Sequence, residues 1–317
     1  MNNVSHPDTR ARKDSNSVDT PLAILASRRY GTLSPLRYPG GKAALAGLFA
    51  DVIGELGLSR GKYVEPYAGG AGAGIALLRE GIVDELIIND FDPAVHAFWH
   101  SVVHDNAELL RLLEATALTI PEWKRQREIY RSRDTSDMLA LGFAFFYLNR
   151  TNRSGILTGG VIGGLQQAGS YKIDARYNKG TLRSRIAALG NLGAQITVRE
   201  DDGRTAIRDY ANDPNVFMYI DPPYVQAGSQ LYLNAFDARD HTNLAAVVRN
   251  ITNAHWLMTY DVTPLIEHLY RDFFVRQYEL NYSARHHGKA LELMITSRSV
   301  EAALAHTNAT HLVDSAS

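Results

Sequence analysis

The stretch that most constrains this chain is an apolar run, Val216–Ile220, which ends abruptly in Asp221-Pro222-Pro223-Tyr224. Proline has no N–H to donate to a β-ladder, and it restricts the residue before it to extended conformations. The run therefore predicts a buried strand that stops at Asp221. Because ligands of open α/β sheets bind at the carboxyl ends of the strands, we expect Asp221 to face a ligand at that edge.

The chemistry of Asp221, Pro222 and Tyr224 suits a flat ring that carries an amino group. The Asp221 carboxylate and the Pro222 carbonyl can accept the two hydrogens of such an amine and so localise the lone pair on its nitrogen. The Tyr224 side chain can stack on the ring. Taken alone, the tetrapeptide is equally compatible with a rigid turn, because short motifs often match by chance.

A second ligand site is predicted where two more strands end. The segment from Lys62 to Tyr67 is typical of a strand and leads into a glycine-rich turn at 68–74, where backbone can approach a ligand closely. It is not a strict dinucleotide fingerprint, because Ile75 stands where the third glycine belongs. The next strand ends in Asp90, about 20 residues later, where such folds place a carboxylate on ribose hydroxyls. Asp92 is the alternative, although beside Pro93 it is better suited to capping a helix.

Two further segments are weaker candidates for this site. Gly40-Gly41-Lys42 opens a helix, but Ala43 stands where a phosphate-binding loop needs serine or threonine. A glycine turn remains that would let backbone N–H groups and Lys42 meet a carboxylate. Asp202 follows a strand predicted at 195–199 and is a candidate for contact with an adenine ring, with a surface turn as the equal alternative.

The later part of the chain predicts the rest of a sheet. His255–Asp261 is typical of a strand that again ends in an acid, and residues 273–280 with 290–295 are expected to form a closing antiparallel pair. Asp240 is predicted to cap the helix between Tyr224 and this region.

Residues 150–186 form a basic, glycine-rich segment. It contains seven arginines and lysines and a single acid, Asp174. Such a segment suits contact with phosphates and base edges, and a solvated basic face is the alternative. The whole chain has a formal net charge of −1, so nucleic-acid binding must come from a local patch of this kind.

The composition of the 317-residue chain excludes several classes of protein. It contains no cysteine, which excludes disulfides, thiolate metal sites and a cysteine nucleophile. The start of the chain is polar, and the longest apolar stretch, at 139–148, is far shorter than the ~20 residues that span a bilayer. We expect a cytoplasmic protein with no membrane partner and no metal.

Taken in chain order, the motifs of residues 34 to 297 resemble those of the D12 (Dam-like) class of DNA adenine-N6 methyltransferases. The segments that carry the resemblance are 35–42, 64–72, 89–90, 146–155, 221–224 and 259–261. The resemblance implies a Rossmann-like, S-adenosylmethionine-dependent methyltransferase sheet with an inserted, mostly helical DNA-recognition domain. The expected boundaries are a disordered tail at 1–30, a catalytic domain at 31–115 and 195–300, the recognition domain at 116–194, and a C-terminal tail at 301–317.

The implied reaction is methyl transfer from S-adenosylmethionine to N6 of an adenine flipped out of duplex DNA. The catalytic residues are then Asp221, Pro222 and Tyr224. The resemblance places the methionine carboxylate of the cofactor near Lys42. The full cofactor-binding set is Tyr38, Lys42, Glu65, Pro66, Tyr67, Gly69, Asp90 and Asp202. The expected DNA-binding residues are Asn149, Arg150, Arg153, Lys172, Arg176 and Lys179.

Several alternatives stay open at this point. Cytosine-N4 methyltransferases use a similar site, commonly with serine in place of Asp221, so the acid favours adenine. A DNA-binding protein with a decayed catalytic site is a rival of another class, and intact Asp221, Lys42 and Asp90 count against it. GATC specificity is not expected, because Leu157-Thr158-Gly159 stands where the GATC-methylating members have an arginine. The expected partners are double-stranded DNA and, as a candidate, a cognate restriction nuclease; the chain is expected to act as a monomer.

Overall fold

The computed structural model describes residues 22–24, 33–37, 42–226, 236–280, 290–307 and 312–314. Tyr38, which was predicted to bind the cofactor, lies outside these residues. Among the described residues, no helix is long and apolar enough to cross a membrane.

A single mixed sheet forms the centre of the molecule. Its strands are β1 (Leu22–Ile24), β2 (Lys62–Glu65), β3 (Glu85–Asn89), β4 (Ile196–Arg199), β5 (Val216–Ile220), β6 (His255–Asp261), β7 (Phe274–Leu280), β8 (Ala290–Thr296) and β9 (Leu312–Asp314). Their order across the sheet is β4-β3-β2-β5-β6-β8-β7-β1-β9. Strands β4, β3, β2, β5 and β6 run parallel, and β8 runs antiparallel to both β6 and β7.

The sheet order creates a crevice between β2 and β5. From β2 the chain moves outward through β3 to β4 and then returns to the other side with β5 and β6. Such a reversal is the point at which doubly wound sheets bind ligands, beyond the carboxyl ends of the strands. The ends of β2 and β5, and with them Glu65 and Asp221, therefore flank this crevice.

Eleven α-helices are present in the described part of the chain. They are α1 (Ala46–Glu55), α2 (Gly72–Arg79), α3 (Pro93–His104), α4 (Asn106–Ala115), α5 (Ile120–Ser132), α6 (Met138–Thr151), α7 (Lys179–Gly190), α8 (Gly203–Tyr210), α9 (Ala238–Arg249), α10 (Pro264–Leu269) and α11 (Arg298–His306). Asp92 caps α3 as predicted, since its side chain accepts from Ala94 N. The predicted cap of α9 was wrong: Asp237 is the N-cap, and Asp240 completes a capping box from the third helical position.

The strand β5 is buried on both faces, which explains why its sequence is continuously apolar. Phe217 and Tyr219 pack into one hydrophobic cluster. Val216, Met218 and Ile220 pack into the other cluster, on the opposite face of the sheet. The period of two residues places Asp221 at the end of the strand between these two cores.

The predicted recognition region, residues 116–194, packs directly on helices of the predicted catalytic region. Helix α6 crosses α3 so closely that a Cβ on Gly142 would lie 2.5 Å from the carbonyl oxygen of Ala97. Side chains of α5, α6 and α7 belong to the same hydrophobic cluster as those of α1, α2 and α3. The insertion at 116–194 is mostly helical, as predicted. It shares its hydrophobic core with the predicted catalytic region.

The structure differs from the predicted tails at both ends of the chain. The strand β1 lies inside the segment 1–30, and it pairs with β7 and β9. Helix α11 continues to His306, and β9 follows within the segment that was predicted as a C-terminal tail. The hydrogen-bonding edge of β7 is thus covered by β1, and the outer edge of β1 pairs in turn with β9. Local sequence periodicity indicated neither of these short strands.

Candidate active site

Asp221 stands at the end of β5 and is held from the neighbouring strand β6. The Thr259 hydroxyl donates to Asp221 Oδ1 at 2.7 Å. The Tyr219 hydroxyl lies 2.8 Å from the same Thr259 oxygen. Because Thr259 has one hydroxyl hydrogen and uses it on Asp221, Tyr219 is the donor in the second bond. The chain from Tyr219 through Thr259 fixes one oxygen of the Asp221 carboxylate.

Burial and the neighbouring groups shift the pKa of Asp221 in opposite directions. Burial raises its pKa above the ordinary value, and the nearby Glu292 carboxylate raises it further. The positive charge of Lys42 and the hydrogen bond from Thr259 lower it. Burial is the largest of these effects, so the carboxyl group of Asp221 holds a proton to a higher pH than an exposed aspartate does.

Tyr224 is anchored by a cluster of charged and hydroxyl groups. Lys42 Nζ donates to the Tyr224 hydroxyl at 2.8 Å and to Glu292 Oε2 at 2.5 Å. The Tyr224 hydroxyl in turn donates to Glu292 Oε2 at 2.8 Å, and the Tyr278 hydroxyl donates to the same oxygen. The sequence associated Lys42 with the cofactor carboxylate, whereas the structure places its ammonium group beside the Asp221 motif.

Asp261, at the end of β6, fixes the backbone that follows the motif. Its two carboxylate oxygens accept from Val225 N at 3.1 Å and from Gln226 N at 2.8 Å. The turn after Tyr224 is therefore tied to the neighbouring strand, which limits how far the tyrosine ring can move.

The glycine turn after β2 is held in a conformation that few residues adopt. Gly69 has φ +47° and Ala71 has φ +46°, both in the left-handed region. Gly69 N donates to Asp90 Oδ2 at 2.9 Å, and the Gly69 carbonyl accepts from Trp99 Nε1 at 2.9 Å. Backbone strain of this kind is concentrated at ligand sites.

Glu65 stabilises the same turn from inside the sheet. Its buried carboxyl group accepts from Gly74 N at 3.0 Å, near the start of α2. Burial raises the pKa of Glu65 to about 8, against the effect of this hydrogen bond. Glu65 was predicted as a cofactor ligand, and its geometry assigns it the support of the turn. Pro66, which follows it, is buried, and its carbonyl accepts from Asn89 Nδ2 at 2.8 Å.

Asp90 and Phe91 form the exposed end of β3. Asp90 uses its oxygens on the amides of Gly69 and Asp92, and burial raises its pKa to about 6. The ring of Phe91 beside it is 56 % exposed. A partly exposed carboxylate next to an exposed flat ring suits a ligand that carries hydroxyl groups and an aromatic base.

Tyr67 and Asp202 follow the ends of two strands at the same edge of the sheet, Tyr67 after β2 and Asp202 after β4. Asp202 caps α8 and pairs with Arg204 at 2.6 Å, and the hydrogen bonds from Arg204 lower its pKa. Tyr67 packs on Gly203, where an added Cβ would lie 2.3 Å from the tyrosine ring. Asn89 connects the two sides, since Asn89 Nδ2 donates to the carbonyls of Pro66 and Asp201.

Several predicted DNA-binding residues are engaged with the protein backbone. Asn149 is 1 % exposed, and its amide bonds both the N–H and the C=O of Arg37, at 2.8 Å each. Lys172 Nζ donates to Gln167 O at 2.5 Å, and Lys179 Nζ donates to Glu114 O at 2.5 Å. In this conformation the Asn149 amide supports the backbone of Arg37, and its contact with DNA stays a prediction.

The arginines of the insertion are arranged differently. Arg153 and Arg176 are exposed. Arg150 Nε donates to the carbonyl of Arg176 at 2.8 Å, and burial together with the charges of Arg37 and Arg185 lowers the pKa of Arg150 to about 10. Positive charges that repel one another in this way favour an anion beside them.

No role was predicted for Thr259, Asp261, Asn89, Phe91 or Glu292. The first three were noted only as parts of motifs. A signal was present for Glu292, because it is a single acid within an apolar strand, and a buried carboxylate requires partners. Those partners come from distant parts of the chain, so the sequence did not indicate which ones they are.

Comparisons with known proteins identify one family model and two solved structures. The family model for D12 class N6 adenine-specific DNA methyltransferases matches residues 38–284. Two solved structures of the rRNA methyltransferase aviRa from Streptomyces viridochromogenes also match. The first has 16% sequence identity and a TM-score of 0.36, and covers 88% of this chain and 96% of that one. The second has 17% identity and a TM-score of 0.35, with coverages of 84% and 89%. These scores are too low to support an inference. A comparison with curated proteins finds no match.

Proposed function

The chain belongs to the D12 class of N6 adenine-specific DNA methyltransferases, and from this premise we propose that Asp221, Pro222 and Tyr224 form its catalytic site. The observation that carries the proposal is the position of Asp221 at the crevice between β2 and β5, with its carboxylate oriented by Thr259. The neighbouring Tyr224 is anchored by Lys42 and Glu292, so an acceptor and an aromatic ring are fixed side by side.

The target adenine must leave the base stack to reach this site, because its amine is paired inside the duplex. Unstacking costs a few kcal/mol, and stacking on an aromatic side chain offsets part of that cost. We assign this contact to Tyr224. Asp221 accepts one hydrogen of the amine, and the carbonyl of Pro222 is the proposed second acceptor.

Asp221 acts on the nitrogen in two ways. Its negative charge localises the lone pair on the amine and stabilises the positive charge that develops there during transfer. The carboxylate is also placed to take up the proton that the methylated nitrogen must lose, and burial raises the pKa of Asp221 toward that role. S-adenosylmethionine, when bound, supplies the methyl group on its sulfonium sulfur. The protein contributes positioning and electrostatics, without a covalent intermediate.

The residues at the ends of β2 and β3 fit this cofactor. It carries two ribose hydroxyls and an adenine ring and has no phosphate, so it needs an acceptor, a flat apolar face and a close approach to the backbone. We propose Asp90 for the hydroxyls, Phe91 for the ring and the strained turn at Gly69 for the backbone contact. The exposure of the Phe91 ring supports this assignment, because an apolar ring left in water is stabilised when a ligand covers it.

The basic insertion is the proposed contact with duplex DNA. Arg176 is assigned to phosphate and Arg153 to the base edges, and Arg37 and Arg150 lie close to Arg176. We propose that the chain acts as a monomer.

The decisive experiment is sequencing of DNA from cells that express the protein, with a method that reports both N6-methyladenine and N4-methylcytosine. We expect N6-methyladenine at a defined site with the wild type and none with Asp221→Ala. Asp221→Asn should retain less than about a tenth of the rate, the scale for losing one well-placed polar group. Calorimetry should find the cofactor affinity of both variants unchanged. An active Asp221→Ala enzyme would exclude the mechanism, and N4-methylcytosine would identify the other amine as substrate.

A further inference from the structure

Glu292 is a buried acid in the middle of strand β8. It exposes 5 % of its surface, and the next residues along the strand, Leu293, Met294 and Ile295, are buried and apolar. Burying a carboxylate is unfavourable unless charge and hydrogen bonds compensate it. The position of Glu292 therefore requires a reason beyond the packing of the sheet.

One oxygen of Glu292 accepts three hydrogen bonds from three other parts of the fold. Lys42 comes from the turn before α1, Tyr224 from the segment after β5, and Tyr278 from β7. Of these, Lys42 and Tyr224 also contact each other at 2.8 Å. The Glu292 carboxylate thus connects Lys42, in the segment before α1, with Tyr224, the aromatic residue of the Asp221 motif.

We propose that Glu292 is a positioning residue for methyl transfer, which holds the Tyr224 ring against the target adenine and keeps the Lys42 charge next to Asp221. This inference rests on the proposed catalytic role of Asp221 and Tyr224.

The first part of this role concerns the Tyr224 ring. A tyrosine side chain rotates about two bonds, and fixing its hydroxyl at the far end of the ring restricts both rotations. Glu292 accepts the hydroxyl hydrogen, while Lys42 donates to the hydroxyl oxygen and lies 5.1 Å from the ring centroid. The ring is then oriented before the base arrives, so less entropy is lost during stacking.

The second part concerns charge. The groups that influence Asp221 are Lys42, Glu292, Thr259 and Tyr224, and Asp221 also acts on the carboxyl group of Glu65. Glu292 is the neighbouring carboxylate that opposes ionisation of Asp221, and Lys42 is the cation that favours it. Replacing Glu292 with glutamine removes the repulsion and leaves the cation, so the pKa of Asp221 should fall.

The test is Glu292→Gln, which keeps the shape and one acceptor oxygen but removes the charge. Methyl transfer to unmethylated genomic DNA is measured with saturating cofactor and DNA across the pH range, so the recognition sequence need not be known. We expect kcat at the optimum to fall about tenfold or more, as for loss of a charged hydrogen bond. The acid limb of the profile should move to lower pH. Cofactor affinity by calorimetry should stay within about twofold.

The matched control is Glu301→Gln. Glu301 is a partly buried glutamate that pairs with Arg276 on β7. Its loss should leave both kcat and the acid limb unchanged. If Glu292→Gln does not fold, Tyr278→Phe replaces it as the test, because this variant removes one donor and keeps the ion pair. For Tyr278→Phe we expect a threefold to tenfold lower kcat, in the range of one lost hydrogen bond, with unchanged cofactor affinity.

Three results would overturn the inference. One is an unchanged kcat in the variant that folds. Another is a loss of cofactor affinity as large as the loss of rate. The third is a lower kcat in Glu292→Gln with an unmoved acid limb, since a purely structural defect gives that pattern. In each case an active wild type and an inactive Asp221→Ala would show that the proposed function itself still holds.

Discussion

The Thr259 hydroxyl on β6 donates to Asp221 at the end of β5 at 2.7 Å, across two adjacent parallel strands. The pairing of Ile220 with Met258 brings the next residue of each strand to the same level at the sheet edge. Thr259 is fully buried and receives the hydrogen of Tyr219, so its own hydrogen can point only toward the carboxylate. The orientation of the proposed catalytic acid is thus set by a threonine 38 positions away in the chain.

Thr259→Val should slow methyl transfer while preserving the fold. Valine has the same shape as threonine but cannot donate to Asp221, and a hydrogen bond to a charged group contributes roughly 1.5–3 kcal/mol. We therefore expect kcat to fall about 10- to 100-fold with little change in cofactor affinity. The bond from Thr259 lowers the pKa of Asp221, so its loss should also move the acid limb of the rate profile to higher pH. This direction is opposite to that expected for Glu292→Gln.

Thr242→Val is a suitable control for this prediction. Thr242 is exposed on α9, and its hydroxyl donates to the Ala238 carbonyl of its own helix, so the variant should retain wild-type kinetics. A Thr259→Val enzyme with wild-type kcat would mean that Asp221 does not need this orientation.

Asp90→Asn and Phe91→Ala should each weaken S-adenosylmethionine binding. Loss of a charged hydrogen bond at Asp90 corresponds to about 1.5–3 kcal/mol, and removal of the Phe91 ring to about 1–2 kcal/mol of lost apolar contact. Because the pKa of Asp90 is raised to about 6, wild-type affinity should also decrease below that pH, and the affinity of Asp90→Asn should not. Calorimetric titration at pH 5 and pH 8 measures both effects. Unchanged affinities in both variants would place the cofactor elsewhere.

Glu65→Gln should stabilise the protein at alkaline pH. The pKa of Glu65 is raised from 4.5 to about 8 in the folded state, so the protonated form is the one that the fold favours. Its contribution to stability is complete below about pH 4.5 and is lost as the pH rises through 8. Glutamine stays neutral and can still accept from Gly74 N.

Thermal unfolding of the wild type and Glu65→Gln should therefore agree near pH 5 and diverge in favour of the variant by pH 9. Glu85→Gln, at the exposed start of β3, should show no such divergence. Equal melting temperatures of wild type and Glu65→Gln at both pH values would mean that Glu65 is ionised within the fold.

Arg176→Ala and Arg153→Ala should separate phosphate contact from base contact. Loss of a phosphate contact at Arg176 should weaken binding to cognate and scrambled duplexes equally. It should also reduce the slope of log K against log salt concentration by about 1. Loss of a bidentate base contact at Arg153 should reduce discrimination between them by about 1–3 kcal/mol.

Binding is measured at several salt concentrations on duplexes that carry the site found by sequencing. Arg111→Ala is the control, because Arg111 lies on α4 outside the insertion and pairs with Glu108. Equal losses on both duplexes for Arg153→Ala would make Arg153 a phosphate contact. The base-reading residues would then have to be sought at 158–167. Lys179→Ala should leave the dependence of binding on salt concentration unchanged, because the Lys179 ammonium group caps the carbonyls at the end of α4.

The sequence by itself determined the features that local chemistry controls. Asp221 follows a buried strand because two prolines stop the ladder there, and Asp92 caps α3 because a short acid before proline satisfies the first free N–H groups. The order of strands and helices also indicated the sheet, and the motif spacing indicated the family. These features depend on residues a few positions apart, whose geometry is limited by the backbone.

Only the tertiary structure decided which side chains meet. Lys42 reaches Tyr224 and Glu292 across 182 and 250 positions, and Asn149 holds Arg37 across 112. A lysine side chain has four rotatable bonds, so its partner is selected by the packing of several elements and not by its sequence neighbours. Glycine turns and lone acids in the sequence indicated where ligands and buried charges would lie. Which side chains each buried charge would contact depended on the packing of all the strands of the sheet.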